Sequence, residues 1–142
     1  MRKIFLFALL TYNFSLITFS QTTFKQIDIL KSYKEAEELI NLEKYAIAQP
    51  FLNDFIQKYE NKTLDKSNNI YADAMYYKAL CEKETASPEA ERDLQFFADN
   101  FKGHPKTNNA YFHLGDLAYA KANYNDALAY FDKVDENGLT GK

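Results

Sequence analysis

The stretch from Asn108 to Asn137 constrains the fold of this chain more than any other segment. Its apolar and small residues recur at intervals of three or four, the period expected of two short amphipathic helices separated by a brief break. Small residues stand where the two helices would touch. Because one short helix pair cannot bury its own apolar face, the segment is expected to stack on similar pairs.

The residues around this stretch set the expected helix limits. Thr107 is expected to cap a helix over about 108–121, because its hydroxyl can accept a hydrogen bond from a free N–H group of the first turn. Asn123 is the expected cap of a second helix from Tyr124 to about Asp135, and Asp126 lies at the positive end of that helix dipole. The predicted inward stripes are formed by Ala110, Leu114, Ala118, Ala127, Phe131 and Val134.

A similar helix pair is predicted upstream. Its first helix extends from Asn69 to about Thr85, and Ser87 with Pro88 form the start pattern of the second. Gly103 is expected to close that second helix. The first helix carries a stripe of Ala74, Tyr76, Ala79 and Leu80, and Tyr77 flanks this stripe as a candidate surface residue. The inward face of the second helix is formed by Ala90, Leu94, Phe97 and Phe101.

A third pair is predicted at the start of the helical region, although Pro50 is expected to kink its second helix or delay the start of that helix. A polar stretch over residues 60–67 then forms a loop to the next pair. The inward residues are Ile27, Leu30, Tyr33, Ala36, Leu39, Ile40, Tyr45, Ala48, Phe51, Leu52, Phe55 and Ile56. The sequence therefore predicts an all-α fold with helix pairs over about 24–60, 69–103 and 107–137.

The three segments resemble tetratricopeptide repeats, in which each unit of about 34 residues is a helix hairpin. The third unit matches best, through Tyr111, the Leu114-Gly115 pair, Tyr124, Ala127 and Phe131. It departs from the family pattern at Ala118, Ala122 and Leu139. The second unit is looser, with Ala79 in place of the glycine and Ala90 as the small residue of the second helix. The first retains Tyr45, Ala48 and Leu52.

The resemblance implies an α-solenoid of about three antiparallel helix hairpins over residues 21–142, either whole or the N-terminal part of a longer solenoid. It also implies a set of repeat-packing residues, namely Tyr45, Ala48, Ala79, Ala90, Tyr111, Leu114, Gly115, Tyr124, Ala127 and Phe131. In style, the chain is similar to exported multi-repeat proteins of Bacteroidetes-type bacteria.

Residues 1–20 have the organisation of a signal peptide. Arg2 and Lys3 precede a continuous apolar run, and small residues at Thr18 and Ser20 permit cleavage before Gln21. An uncleaved membrane anchor is the alternative, although polar residues interrupt the run. Cleavage would change the formal charge from −3 to −5. We therefore expect an exported protein without a membrane span after cleavage, in the periplasm or at the outer-membrane periphery if the source is bacterial.

Residues with catalytic or metal-binding potential are few. Cys81, the only cysteine, lies in an apolar helical context and is expected in the core. His104 and His113 have no evident ligand set for zinc, so we expect no metal and no cofactor. The acidic groups around Glu37 and Asp93 are expected on solvated faces. A paired-carboxylate hydrolase stays open as a minor alternative, but the sequence favours a protein that is not an enzyme.

The solenoid resemblance favours a protein-binding function. By resemblance, a groove lined by the first helix of each hairpin takes a protein or peptide, and Tyr77, His113, Asp116 and Tyr119 are the candidate contacts. A nucleic-acid partner is not expected, because no cluster of Lys and Arg follows residue 3. The alternative is a structural subunit of a larger envelope assembly, with self-association through an uncapped last hairpin.

Overall fold

The computed structural model describes residues 29–61 and 69–134, which contain six helices and no strand. Successive helices pack on one another along the chain, so they form pair 1 (α1–α2), pair 2 (α3–α4) and pair 3 (α5–α6). The all-α prediction is confirmed. Residues 1–20, Ile27, most of the 60–67 loop and Leu139 lie outside the described residues. The helices are α1 (29–41), α2 (Tyr45–Asn61), α3 (Asn69–Glu84), α4 (Ala90–Asn100), α5 (Thr107–Ala120) and α6 (Tyr124–Phe131).

The limits of α5 and α2 differ in part from the sequence prediction. Thr107 is the first residue of α5 rather than its cap, and its hydroxyl donates to the carbonyl of Phe101 at 2.6 Å. Asn123 occupies the cap position of α6 as predicted, but its side chain makes no capping hydrogen bond. Pro50 lies within one assigned helix, so it does not delay the start of α2.

The second helix of pair 2 is shorter than predicted. It begins at Ala90, because residues 87–90 form a turn in which the Ser87 hydroxyl donates to the Glu89 carboxylate. It ends at Asn100 with Phe101 as its cap residue. Gly103 therefore does not close the helix, and it does not adopt a left-handed conformation.

Each pair has the same turn between its two helices. Glu43, Ala86 and Ala122 are left-handed, with φ of 57°, 56° and 61°. In each turn the following residue donates its N–H group to a carbonyl five residues earlier, which is the long hydrogen bond of a Schellman motif. These bonds are Lys44 to Leu39 (2.8 Å), Ser87 to Glu82 (2.8 Å) and Asn123 to Ala118 (2.9 Å).

Counting from these turn residues places similar side chains at matching positions of the three pairs. Seven residues before the turn stand Ala36, Ala79 and Gly115, all buried. Ten residues before it stand aromatic rings, Tyr33, Tyr76 and Phe112. In the second helices, the matching positions hold a buried small residue and, four residues later, a large apolar one. In pair 2, both positions lie one residue nearer the turn. These residues are Ala48, Ala90 and Ala127, followed by Leu52, Leu94 and the half-buried Phe131.

Gly115 permits α5 and α6 to approach closely. A Cβ atom at this position would lie 2.6 Å from Cδ1 and 2.7 Å from Cζ of Phe131, well inside van der Waals contact. The Phe131 ring therefore packs directly on the backbone of α5.

A series of ring contacts passes through all six helices. Centroids of neighbouring rings are 5.1–6.3 Å apart, the range in which aromatic pairs attract each other. The core of each pair is therefore continuous with the next. In order of contact, the rings are Tyr33, Phe55, Tyr59, Tyr71, Phe101, Phe97, Tyr76, His113, Phe112 and Phe131.

Cys81 lies in this core, as the sequence predicts. It is fully buried, and burial raises the pKa of its thiol to about 12, with the charges of Glu82 and Glu84 adding to the rise. A thiol with so high a pKa stays protonated at neutral pH and is a poor nucleophile.

The contact between Gly115 and Phe131 predicts the effect of one methyl group. Gly115→Ala is expected to lower the free energy of unfolding by about 1–3 kcal/mol, because the Phe131 ring must move. Chemical denaturation measures the loss. Gly103→Ala is the matched control, since a Cβ there meets nothing within 4 Å. Equal stability of the two variants would contradict the packing described.

The left-handed turns predict a stabilising change. Ala122→Gly is expected to raise the free energy of unfolding by about 0.5–1 kcal/mol, because glycine adopts positive φ without the steric cost of a Cβ. In the control, Ala129→Gly on the exposed side of α6 should lower stability by about 0.5–1 kcal/mol. Thermal melts of both variants test the pair, and a loss of stability at residue 122 would count against the turn geometry.

Candidate protein-binding site

One side of pair 3 exposes large apolar side chains from both helices. Phe112, Asp116 and Tyr119 follow one another along α5, and Tyr124 and Leu128 lie one turn apart on α6. Tyr119, Tyr124 and Leu128 are each more than 60% exposed. The rings of Tyr119 and Tyr124 meet at a centroid distance of 5.5 Å, which joins the two helices at the turn end. We call these five residues the trailing face of pair 3.

The rings that correspond to Phe112 in the earlier pairs are covered. Phe112 is 40% exposed, whereas Tyr33 and Tyr76, at the same distance before the turn, are 8% and 0% exposed. The counterpart of the exposed Tyr124 is Tyr45, which is half-buried against the core. The difference arises from the next helices along the chain, because pairs 1 and 2 each precede another described pair that packs over them.

One direct contact shows how a following pair covers the ring. The Tyr76 hydroxyl and Nε2 of His113 are 3.2 Å apart and hydrogen-bonded, with the two rings stacked. Tyr33 is likewise buried, and its phenol is influenced by charged and phenolic groups of α3. Burial raises the pKa of its phenol, and the charges of Asp73, Glu37 and Tyr77 raise it further. His113 lies nine residues before the turn residue of pair 3, and Tyr77 holds the same position in pair 2.

The four predicted partner contacts therefore separate into two groups. Tyr77 is only 6% exposed, so the expectation that it flanks the core at the surface is wrong. His113 is turned towards Tyr76, and the Nδ1 atom of His113 is buried without a hydrogen-bond partner among the described residues. Asp116 and Tyr119 do lie together on the trailing face. Burial raises the pKa of the Asp116 carboxyl above its ordinary value.

The sequence prediction missed three residues of this face. Tyr124 was predicted as a repeat-packing residue, and in the last described pair its ring is 61% exposed. Phe112 and Leu128 were not singled out, although both recur at helical spacing beside inward residues. Only the comparison of matching positions among the three pairs distinguishes them from core residues.

Pair 2 contains a cluster of charged side chains, which lies between its helices. Lys78 on α3 bridges the carboxylates of Glu82, at 2.5 Å, and Asp93 on α4. Glu82 is buried, and its Oε2 atom has no hydrogen-bond partner among the described residues. Burial raises the pKa of Glu82 despite the bond from Lys78. The expected position of Asp93 on a solvated face is wrong, since its side chain lies within this ion cluster.

His104 lies between the loop before α5 and helix α3. The backbone N–H of Lys106 donates to its Nδ1 atom, so the ring proton belongs on Nε2, which lies 3.6 Å from the Asp73 carboxylate. Burial lowers the pKa of this imidazole, although Asp73 acts in the opposite direction. The ring thus connects the loop before α5 to α3.

A cleft of about 650 Å³ lies at the other ends of these helices. Its floor is apolar and its rim includes the exposed Lys102. Its lining includes Glu60 and Asn69 but no residue of the trailing face, so the cleft is a separate site. The apolar lining is formed by Tyr71, Met75, Phe96 and Phe101.

No protein-family model, curated protein or solved structure matches this chain. Within residues 29–61 and 69–134, no helix is long and apolar enough to cross a membrane. In the same ranges, no three His, Cys, Asp or Glu side chains are grouped in a way that could hold a metal ion. Support for the candidate site therefore comes from its own geometry.

His113 predicts how stability depends on pH. Burial, followed by the charge of Lys83, lowers its pKa to about 4. Between about pH 6.5 and pH 4 the unfolded chain binds a proton that the folded chain does not. This contribution to stability is therefore complete above pH 6.5 and is lost as the pH falls, by on the order of 3 kcal/mol.

The variant His113→Phe isolates this effect, because it keeps a ring at the site and removes the titrating group. Unfolding free energies measured between pH 7 and pH 4 should fall less steeply in the variant than in the unmodified chain. Identical pH dependence in both proteins would show that His113 is not protected from protonation in the folded state.

Proposed function

We propose that this chain is a protein-binding module built as a tetratricopeptide-like α-solenoid, and that the trailing face of pair 3 is its binding surface. One observation carries the proposal. Phe112 is exposed, while Tyr33 and Tyr76 at the matching positions are buried by the pair that follows each of them. The repeated left-handed turns and the matching small residues support the solenoid part of the proposal.

The trailing face has the composition of a protein-binding surface. It combines two tyrosines, a phenylalanine and a leucine with one carboxylate, and aromatic anchors of this kind dominate the affinity of many interfaces. Contiguous exposed apolar surface is uncommon on proteins that act alone. Asp116 and Tyr119 belong both to this face and to the predicted groove set, so groove binding and end-to-end docking would use the same residues.

The proposed place of action rests on the sequence of residues 1–20. Residues 1–20 favour export, and we propose that the module acts in the cell envelope, in the periplasm or at the outer-membrane periphery of a bacterial source. Binding through the trailing face requires no cofactor and no bond-making chemistry.

A structural subunit of a larger assembly is the second candidate. It is favoured by the participation of both helices of pair 3, because α5 and α6 expose apolar residues on the same side, as two helices do at a permanent interface. Stoichiometric co-purification that survives dilution would favour this candidate over a transient binding module.

Two leucines of equal exposure test the binding surface. Leu128 on the trailing face is 62% exposed, and Leu42 at the turn of pair 1 is 63% exposed. When the immobilised chain captures partners from envelope extracts of its source, Leu128→Ser should reduce recovery of the bound protein about tenfold, whereas Leu42→Ser should not. Both variants should melt at similar temperatures, because both side chains are already solvated. Equal recovery by the two variants would sink this assignment.

A further inference from the structure

The two junctions inside the chain define what a helix must offer in order to cover a trailing face. The covering helix carries a small residue twelve residues before the turn residue that follows it, a ring nine residues before, and a small or apolar residue five residues before. This is a spacing of i, i+3 and i+7, which forms one stripe along a helix. We call this stripe the leading face; it is formed by Ala74, Tyr77 and Cys81 in pair 2, and by Ala110, His113 and Leu117 in pair 3. All six of these residues are buried or half-buried.

The leading face of pair 1 is different. The same three positions hold Lys31, Lys34 and Glu38, all exposed. If a second copy of the chain stacked head to tail, these charged groups would be carried onto the apolar rings of pair 3 and would lose their hydration. A two-fold pairing of trailing faces would instead bring two Asp116 carboxylates into one interface. The charges of the chain therefore point to an occupant other than a second copy.

The carboxylate on the trailing face indicates which aromatic residue the partner carries. Six residues before the turn, pair 3 has Asp116, pair 1 has Glu37 and pair 2 has Leu80. Tyr77 holds the position in pair 2 that His113 holds in pair 3, and it is buried. Burial raises the pKa of its phenol to about 12, and the charges of Asp73 and Glu37 add to the rise. Pair 3 repeats the arrangement of pair 1, with an aromatic ring and a carboxylate one turn apart. The covering ring of pair 1 carries a hydroxyl group.

Resting on the proposed function, we infer that the trailing face of pair 3 binds an amphipathic helix with a small residue, a tyrosine and an apolar residue at i, i+3 and i+7. The tyrosine ring covers Phe112, and its hydroxyl donates a hydrogen bond to the Asp116 carboxylate. The small residue permits the two helix backbones to approach, and the apolar residue lies against Tyr119. This partner has the leading face of pair 2.

The chain itself supplies the test ligand. We would extend the full chain after Lys142 with a copy of residues 69–101, which is pair 2 with its natural leading face. Residues 132–142, between α6 and the copy, are more numerous than the connection 101–106 between α4 and α5, so the copy can reach the trailing face. Hydrogen exchange of residues 107–134 reports docking, because that segment is present only once in the extended chain.

Two altered copies are the controls. In the first, Ala74→Lys, Tyr77→Lys and Cys81→Glu give the copy the leading face of pair 1. In the second, Tyr77→Phe removes only the hydroxyl. The natural copy should slow exchange in α5 and α6 about tenfold and raise the unfolding midpoint. The Phe copy should protect less, and the charged copy should have no effect.

Three results would overturn the inference. Equal protection by the natural and the charged copy would show tethering without recognition. A natural copy that adds no helical signal in circular dichroism would also count against it, because docking is what buries the apolar face of the added pair. Dimerisation of the unextended chain with loss of Tyr119 exposure would identify a second copy as the occupant.

The outcome is separable from that of the proposed function. If the natural copy docks but capture with Leu128→Ser equals capture with the unmodified chain, then the helix specificity stands and the captured protein binds elsewhere. If capture depends on Leu128 but the copy does not dock, then the face binds protein and the inferred helix pattern is wrong.

Discussion

Burial of one aromatic ring per helix pair by the next pair is the constraint on which this structure depends. Tyr33 and Tyr76 are each large apolar groups on a helix that cannot cover them. Full burial of such a side chain contributes about 1.5–3 kcal/mol, a large share of the net stability of a small domain. The order of the helices follows from this requirement, because each pair is both the cover of one ring and the support of another. Pair 3 is the only described pair whose ring lacks a following described pair.

The turns show how strongly this stacking determines local geometry. A left-handed conformation costs an ordinary L-residue about 1–2 kcal/mol, and glycine would adopt it without that penalty. Glu43, Ala86 and Ala122 nevertheless adopt it in all three turns. The Schellman hydrogen bonds and the burial of the two helices against each other offset the local cost. The angle at which the second helix returns is therefore fixed by packing rather than by the preference of the turn residue.

The sequence predicts most of the helices and their inward stripes, since helical periodicity is a local property. It does not determine which of two adjacent rings faces the core. Tyr76 and Tyr77 are both buried, because α3 has neighbours on two sides, and this depends on pairs that are distant in sequence. Tyr124 is exposed for the converse reason. Asp93 could not be recognised as an inward-facing residue, because its partner Lys78 lies on another helix. The limits of α4 and α5 differ from the predicted limits where side chains form hydrogen bonds next to the helix ends, as those of Ser87 and Thr107 do.

The ion cluster of pair 2 also governs which helices can associate. Lys78 and Glu82 occupy the positions at which α5 carries Leu114 and Ala118. If α5 replaced α3 beside α4, Asp93 would face two apolar side chains, lose Lys78 and keep only the exposed Arg92 as a cationic partner. The half-buried carboxylate would then be poorly compensated. An exchange of these two helices is therefore disfavoured. The charged residues within pair 2 thus favour the pairing of α3 with α4 over pairings with other helices of similar pattern.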